Sequence, residues 1–295
     1  MDGMSPTFFY TELTKRNYGF VNEAQQEKLR TSRVFVCGVG GMGCAAIQSL
    51  TRMGIENFTI ADNAVFEVSH LNQQVFATMQ NVGTEKVDGA VKAIHSVNAH
   101  ASIKSYGADW VSRIEDILGE ADLVINGMDD IGESVRLYRE CRKHKRAVVS
   151  AFSAAIPSVH VTRPGDPLPE EWLDYPTLGK QPAEWSAADL RSAALKELEY
   201  VWACSSLKEQ IDLKTSIDMV TGARARMSFA PLAILTGNLI AYEAFNLLLK
   251  RRSGATHKGY VFNPATGKTE HPLAKPLEWM RRKKARREIS ELTEV

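Results

Sequence analysis

The chain has 295 residues, 44% apolar and 24% charged, with 36 basic against 35 acidic residues and a net charge of +1. That length and apolar content fit a globular enzyme, either one large α/β domain with an appended part or two small domains. The balanced charge excludes a global electrostatic drive toward nucleic acid or a membrane surface.

Residues 1–6 lack a basic start followed by an apolar core, so no signal peptide is expected. Residues 1–30 read as a mainly helical arm, with the clearest helical composition at 23–30. The chain then alternates. Strands are expected at 33–37, 57–61, 101–106, 121–126 and 146–151, and helices at 41–53, 83–97, 110–118 and 132–144. A further strand falls within 151–161, where Pro157 marks an edge or a break. Prolines 164, 167, 169, 176 and 182 end the regular pattern, and 183–225 read as helical and charged. A long apolar helix follows at 229–252. Pro231, Gly237, Asn238, Glu243 and Asn246 interrupt it, so it reads as a buried or dimer-interface helix and no membrane span is expected. Residues 259–263 and 268–270 flank a Pro264 to Gly267 turn, the pattern of a hairpin. Residues 281–287 carry six cations in seven positions. Such a run reads as a solvated helix or mobile tail, with nucleic acid or an acidic peptide as the minor alternative.

These elements predict an α/β fold. A Rossmann-like doubly wound sheet occupies 31–162, the candidate nucleotide-binding domain, preceded by the arm at 1–30. Residues 163–295 follow as loops, helices, hairpin and basic tail, the part that the family resemblance described below implies to be the substrate-side and dimerisation region.

The first strand, loop and helix carry the clearest chemistry. The string RVFVCGVGGMGC at 33–44 places Gly38, Gly40 and Gly43 in G-x-G-x-x-G spacing between an apolar strand and a helix. Such a loop, with Gly41 beside it, lets backbone N–H groups approach a phosphate at the helix N-terminus. Asp62 ends the second strand, where a Rossmann-type fold accepts hydrogen bonds from a ribose.

The residues after Asp62 decide between nucleotides. The string DNAVFEVSHLNQQ at 62–74 resembles the D-x-D-x-V-x-x-S-N-L-N-R-Q signature of the ThiF/MoeB family of ubiquitin-activating-type adenylating enzymes. GTEK at 83–86 is similar to its G-x-x-K, ADLVINGMDD at 121–130 to its strand ending in D-x-x-D-N, and Arg16 to its N-terminal arginine. The matches cover about residues 15–150, whereas 151–295 resemble the family in outline alone.

The resemblance implies ATP-dependent activation of a carboxylate as an acyl-adenylate, followed by transfer to a nucleophile. It implies that Lys86 stabilises departing pyrophosphate and that Asp129 holds a Mg2+ ion bridging phosphate oxygens. Arg16 would reach the triphosphate from the other subunit of a homodimer, while Asn72 and Gln74 would orient nucleotide or carboxylate. The implied partner is a precursor peptide or small protein.

Each residue also has a plainer reading. Lys86 and Arg16 could be surface charges, Asn72 to Gln74 a polar loop, and the Asp129–Asp130 pair a helix N-cap.

Departures narrow the branch. Gln73 stands where the signature has arginine, His70 where it has asparagine, Ala64 and Asn126 where it has aspartate, and Asp130 where it has asparagine. Losing the arginine removes a charge-assisted phosphate contact that neutral glutamine does not replace. A protonated His70 would restore part of that charge. The cysteines, at 37, 44, 141 and 204, form no C-x-x-C pair, so the structural zinc of many relatives is not expected. A reduced, cytoplasmic setting is expected instead. Cys204 is the candidate thiol for accepting an activated acyl group, against an equal reading as part of a packed helix.

The expected function is activation of a ribosomally made peptide, as in the family's peptide-antibiotic branch of the pantocin A type. The alternatives are a ubiquitin-like sulfur carrier, dehydration of a threonylcarbamoyl group in tRNA, and a nucleotide-binding adaptor that has lost turnover.

Overall fold

The computed structural model describes residues 7–152 and 156–293. The expected arm and the strand at 151–161 therefore fall partly outside the described residues, and the leader reading at 1–6 falls wholly outside.

Two helices build the arm, α1 (Tyr10–Thr14) and α2 (Glu23–Thr31). Asn22 starts α2 with a reciprocal cap: its side chain accepts from the Gln25 N–H at 2.9 Å, and its own N–H donates to the Gln25 side chain at 3.1 Å. The arm is tied down, because the Tyr10 hydroxyl donates to the Gly54 carbonyl and Leu29 enters the core.

The next elements are β1 (Arg33–Cys37), α3 (Gly41–Arg52), β2 (Asn57–Ala61), α4 (Lys86–Val97), β3 (Ser102–Tyr106), α5 (Ile114–Glu120), β4 (Leu123–Asn126), α6 (Ile131–Lys143), β5 (Val148–Ser150) and β6 (Ser158–Thr162). The predicted alternation is present, with helix four beginning at Lys86 rather than at 83. A short α7 (Pro169–Trp172) leads to α8 (Ala187–Cys204), α9 (Leu213–Val220) and α10 (Ala230–Leu248). The predicted hairpin follows as β7 (Tyr260–Asn263) and β8 (Lys268–Glu270), and α11 (Lys275–Thr293) comes last.

All eight strands form one sheet in the order β3-β2-β1-β4-β5-β6-β7-β8. The first five are parallel and the last three antiparallel. Helices α3, α4 and α10 cover one face, and α5 and α6 cover the other. Both faces of β1 and β4 are buried, which explains their unbroken apolar runs VFVC and LVI. The sheet crosses the compositional boundary at 162/163, and α10 packs into the same core as α3.

Helix α10 is apolar and long enough to cross a bilayer, yet 56% of its most apolar window is buried in the fold. Its place in the core rests on close contact with α3. A Cβ on Gly237 would lie 2.5 Å from the Ala45 Cβ and 2.6 Å from the Met42 carbonyl oxygen.

Of the two expected readings, mobile tail and solvated helix, the basic run is the helix, with Arg281, Lys283, Lys284, Arg286 and Arg287 exposed, and it is docked along one face. It lies in α11, which packs on α8 and α9. Buried Glu199 accepts from Arg282 Nε at 3.0 Å and from Arg286 Nε at 2.8 Å, while Ala285 and Ile289 enter the interface. The i, i+4 spacing of the two arginines puts both on one helix face.

Gly237→Val should lower stability by about 1–3 kcal/mol, because overpacking must separate α3 from α10. Gly165→Ala, where an added Cβ meets nothing within 4 Å, should leave the denaturation midpoint nearly unchanged. Equal midpoints for the two variants would contradict this packing.

Candidate active site

Register brings the site together. Cys37 pairs with Ala61 on one side and with Asn126 on the other. The next residues, Gly38, Asp62 and Gly127, therefore leave the sheet at the same level. The strand order reverses between β1 and β4, and the crevice beyond that point is where open α/β sheets take ligands.

The glycines divide the work. Gly38 has φ +95°, and a Cβ there would lie 2.5 Å from the Gly127 carbonyl carbon. A Cβ on Gly43 would lie 1.9 Å from the Gly38 oxygen, and one on Gly127 would lie 2.7 Å from that same atom. These three residues close the seam between loop, helix and β4. The same test at Gly40 meets only the Gly127 oxygen at 4.0 Å, so this position leaves space for a ligand. At Gly41 it meets the Gln73 amide oxygen at 2.7 Å. The N–H groups of Gly40, Gly41 and Met42 donate to nothing among the described residues, as expected at a helix start awaiting an acceptor.

Asp62 locks the loop to β2. Its carboxylate accepts from the Val39 N–H at 2.7 Å and from the Ala64 N–H at 2.9 Å. Each oxygen keeps a second acceptor direction for a ribose hydroxyl. Lys86 opens α4 and is mostly buried, and no carboxylate among the described residues pairs with it. It is therefore not the solvated surface lysine of its plainer reading.

His70 does not supply the missing cation. Its Nδ1 accepts from the Glu67 N–H at 3.0 Å. Burial and then the Lys86 charge hold its pKa below the usual imidazole value, which disfavours the charged ring.

Gln73 and Gln74 turn their amide oxygens inward, buried and without a donor. Asn72 is exposed and donates to the Ser228 carbonyl at 3.0 Å, so it anchors the segment before α10.

At the end of β4, Asp129 and Asp130 have separate roles. Asp130 is the N-cap of α6, accepting from the Glu133 N–H at 2.8 Å. Asp129 is 56% exposed and pairs with Arg226 at 3.2 Å; Arg226 also donates to the Asp129 carbonyl. Arg16 lies exposed on the arm and makes no ion pair among the described residues; the next residue, Asn17, donates to the Met53 carbonyl at 3.2 Å, which places this part of the arm at the end of α3 opposite the loop.

The residues fit a magnesium nucleotide. Free helix-start N–H groups, open space at Gly40 and an accessible carboxylate stand at the switch point, and buried Lys86 is tied by its backbone N–H to the Ala64 carbonyl, two residues beyond Asp62. Mg2+ commonly takes one or two protein carboxylates together with substrate phosphates, so Asp129 alone is an adequate protein ligand.

Beside this point lies a cavity of about 600 Å³ between α6, α8, α9 and residues 219–227. Asp129 and Asn126 stand at its sheet end, Leu190, Val201 and Trp202 give it an apolar wall, and Glu197 contributes a carboxyl. Cys204 does not line it. That thiol is buried with Ser158 and His160 around a separate void of about 10 Å³, and desolvation pushes it up to about 11. Cys44 is pushed up to about 12, and Cys37 and Cys141 also stand well above the thiol range, all through burial. A thiolate nucleophile therefore has no support at any of the four.

The ThiF family profile matches residues 14–278. The chain belongs to the ThiF family. This ThiF-family chain is 31% identical over 126 residues to the molybdopterin-synthase adenylyltransferase of Haemophilus influenzae, spanning 42% of this chain and 52% of that protein. The chain thus spans about half the length of this curated relative. Among solved structures, PaaA aligns at TM-score 0.60 and 15% identity over 92% of this chain and 76% of PaaA. Escherichia coli MccB with ATP aligns at 0.60 and 17% identity over 84% and 65%. MccB has also been solved with MccA. These structural likenesses establish the shared α/β fold.

Sequence reasoning missed Gly127, Arg226 and Glu197. Gly127 sits inside a quoted motif, but its need for a bare Cα comes from Gly38, far away in sequence. Arg226 and Glu197 carry no local pattern.

Burial raises Glu197 to about 7 against an ordinary 4.5, opposed by the Tyr175 hydroxyl at 2.6 Å and the Arg226 charge. A raised carboxyl pKa means that the folded state holds the proton more tightly. Stability should fall as pH rises from 4.5 to about 7 and level off above. Glu197→Gln should flatten that slope in thermal melts across pH 5 to 8. An unchanged slope would place the titrating group elsewhere.

Proposed function

We propose that this protein uses ATP to activate a carboxylate as an acyl-adenylate, and that the carboxylate belongs to a ribosomally made peptide. The observation that supports this most is the open Gly40 loop, held by Asp62 beside accessible Asp129 at the switch point of a ThiF-family fold, with buried Lys86 bonded through its N–H to the Ala64 carbonyl just beyond Asp62.

In this reading the triphosphate lies against the N–H groups of Gly40 and Gly41, and the ribose lies on Asp62. A substrate carboxylate oxygen attacks the α-phosphorus, the bond to the bridging oxygen breaks, and pyrophosphate leaves. Lys86 stabilises the charge that develops on the phosphates. A magnesium ion, held by Asp129, would neutralise phosphate charge. The acyl-adenylate carbonyl is then attacked by a nucleophile of the substrate itself, and AMP departs. The burial of Cys204 favours this direct route over a thiol relay.

The adjoining 600 Å³ cavity is a suitable size for a few residues of peptide beside the reactive phosphate. The likeness to PaaA and to MccB, a microcin C7 biosynthetic enzyme, supports the peptide branch. A ubiquitin-like carrier is the second reading. It draws on the similarity to a molybdopterin-synthase adenylyltransferase, which spans 42% of this chain.

We further propose a homodimer in which Arg16 enters the partner's site, since its own chain leaves it exposed. Lys86→Ala, Arg16→Ala and Asp129→Ala should each lose at least about two orders of magnitude in rate, while Cys204→Ala keeps most activity. With a candidate peptide, chromatography should show AMP and pyrophosphate. ADP and phosphate would instead indicate an acyl phosphate, and a trapped thioester on Cys204 would restore the relay. Mixing Arg16→Ala with Asp129→Ala protein should recover activity that neither variant has alone; no recovery would remove the shared site.

A further inference from the structure

The charge at the site does not balance for a triphosphate. Asp62, Asp129 and Asp130 place three carboxylates around the crevice, and Lys86 is the one cation that the loop and α4 bring to it. Gln73, packed against Gly41, is neutral, and His70 turns Nδ1 to the Glu67 N–H as an acceptor, leaving that nitrogen without a proton to offer a phosphate. A nucleotide with four negative charges needs more than one lysine and one metal ion at such a place.

Three arginines, Arg191, Arg224 and Arg226, line the adjoining cavity, and among the described residues Arg226 is the one that contacts Asp129. It reaches Asp129 from the segment before α10, pairing with the carboxylate at 3.2 Å and donating to the backbone carbonyl. The same segment is pinned two residues later, where the Asn72 side chain donates to the Ser228 carbonyl at 3.0 Å. Arg226 is thereby held between Asp129 and the polar turn that carries Gln73. Its side chain is half exposed, so it can turn without breaking a packed core. A magnesium ion on Asp129 would compete for the carboxylate that Arg226 now holds.

We infer that Arg226 is the second phosphate-binding cation of this site. In the free protein it rests on Asp129, and it transfers to the triphosphate when magnesium nucleotide arrives. This rests on the proposed reading of the crevice as an ATP site, and it adds a residue from 97 positions away whose role no motif indicates. The planar fork of arginine suits two phosphate oxygens at once, so lysine should replace it poorly.

The test is nucleotide binding by calorimetry, without peptide, for the full chain. Arg226→Ala should weaken MgATP binding about 10- to 100-fold, the scale of one lost hydrogen-bonded charge, and leave AMP binding within a factor of about two. Arg226→Lys should recover part of the loss. The double variant Gln73→Arg, Arg226→Ala should recover most of it, because the new guanidinium would start from beside Gly41. Wild-type MgATP affinity in Arg226→Ala would overturn the inference and leave the ATP site standing. Equal loss of MgATP and AMP affinity would also overturn it, since that marks a structural role for the segment. Failure of the wild type to bind any adenine nucleotide would overturn the ATP site and this inference together.

Discussion

The structure depends on one seam that admits no side chain. Gly38, Gly43 and Gly127 bring the β1 loop, the first turn of α3 and the end of β4 into backbone contact, with a hypothetical Cβ as close as 1.9 Å to a carbonyl oxygen. Any larger residue at these three positions would push the helix away from the sheet. That contact aims the first N–H groups of α3 across the crevice, toward the place where Asp129 leaves β4. The Asp62 carboxylate then fixes the loop from the β2 side by accepting from Val39. In the proposed reading the phosphate site is therefore built mostly from backbone, and side chains add charge at its rim.

A second close contact lets a late part of the chain shape this early site. Gly237 allows α10 to lie against α3, and so the segment before α10 passes over the crevice. Asn72 holds that segment by its side-chain amide, and Asp129 holds it by both its carboxylate and its carbonyl. The large cavity exists because α8, α9 and this segment stand off from α6 at the same place. Further out, buried Glu199 uses Arg282 and Arg286 to clamp α11 onto α8, which braces the outer wall. Breaking that cluster would leave a carboxylate buried without a partner, a change costing several kcal/mol in comparable sites, roughly 3–5.

What was legible in the sequence was local. The apolar runs at 33–37 and 57–61, the glycine spacing after the first and the aspartate after the second all follow from short-range rules, and the sheet has them as expected. The hairpin at the Pro264 to Gly267 turn was legible for the same reason. Illegible features depend on pairs far apart in the chain. Glycine 127 needs Gly38, Arg226 needs Asp129, and the basic run at 281–287 is a docked helix only because Glu199 is buried opposite it. A charged run looks the same in one dimension whether or not a partner carboxylate waits for it. The thiol of Cys204 could be placed on a helix by composition, but which side faced a cavity required the packing of α8 against β6 and β7.

The account stands on the crevice between β1 and β4 holding the triphosphate of a magnesium nucleotide. A crystal structure of the protein grown with ATP and Mg2+ tests this most directly. The account predicts phosphate oxygens against the Gly40 and Gly41 N–H groups, the metal on Asp129 and the ribose on Asp62. Nucleotide bound elsewhere, or a crevice still closed by the Arg226–Asp129 pair at saturating ATP, would contradict it.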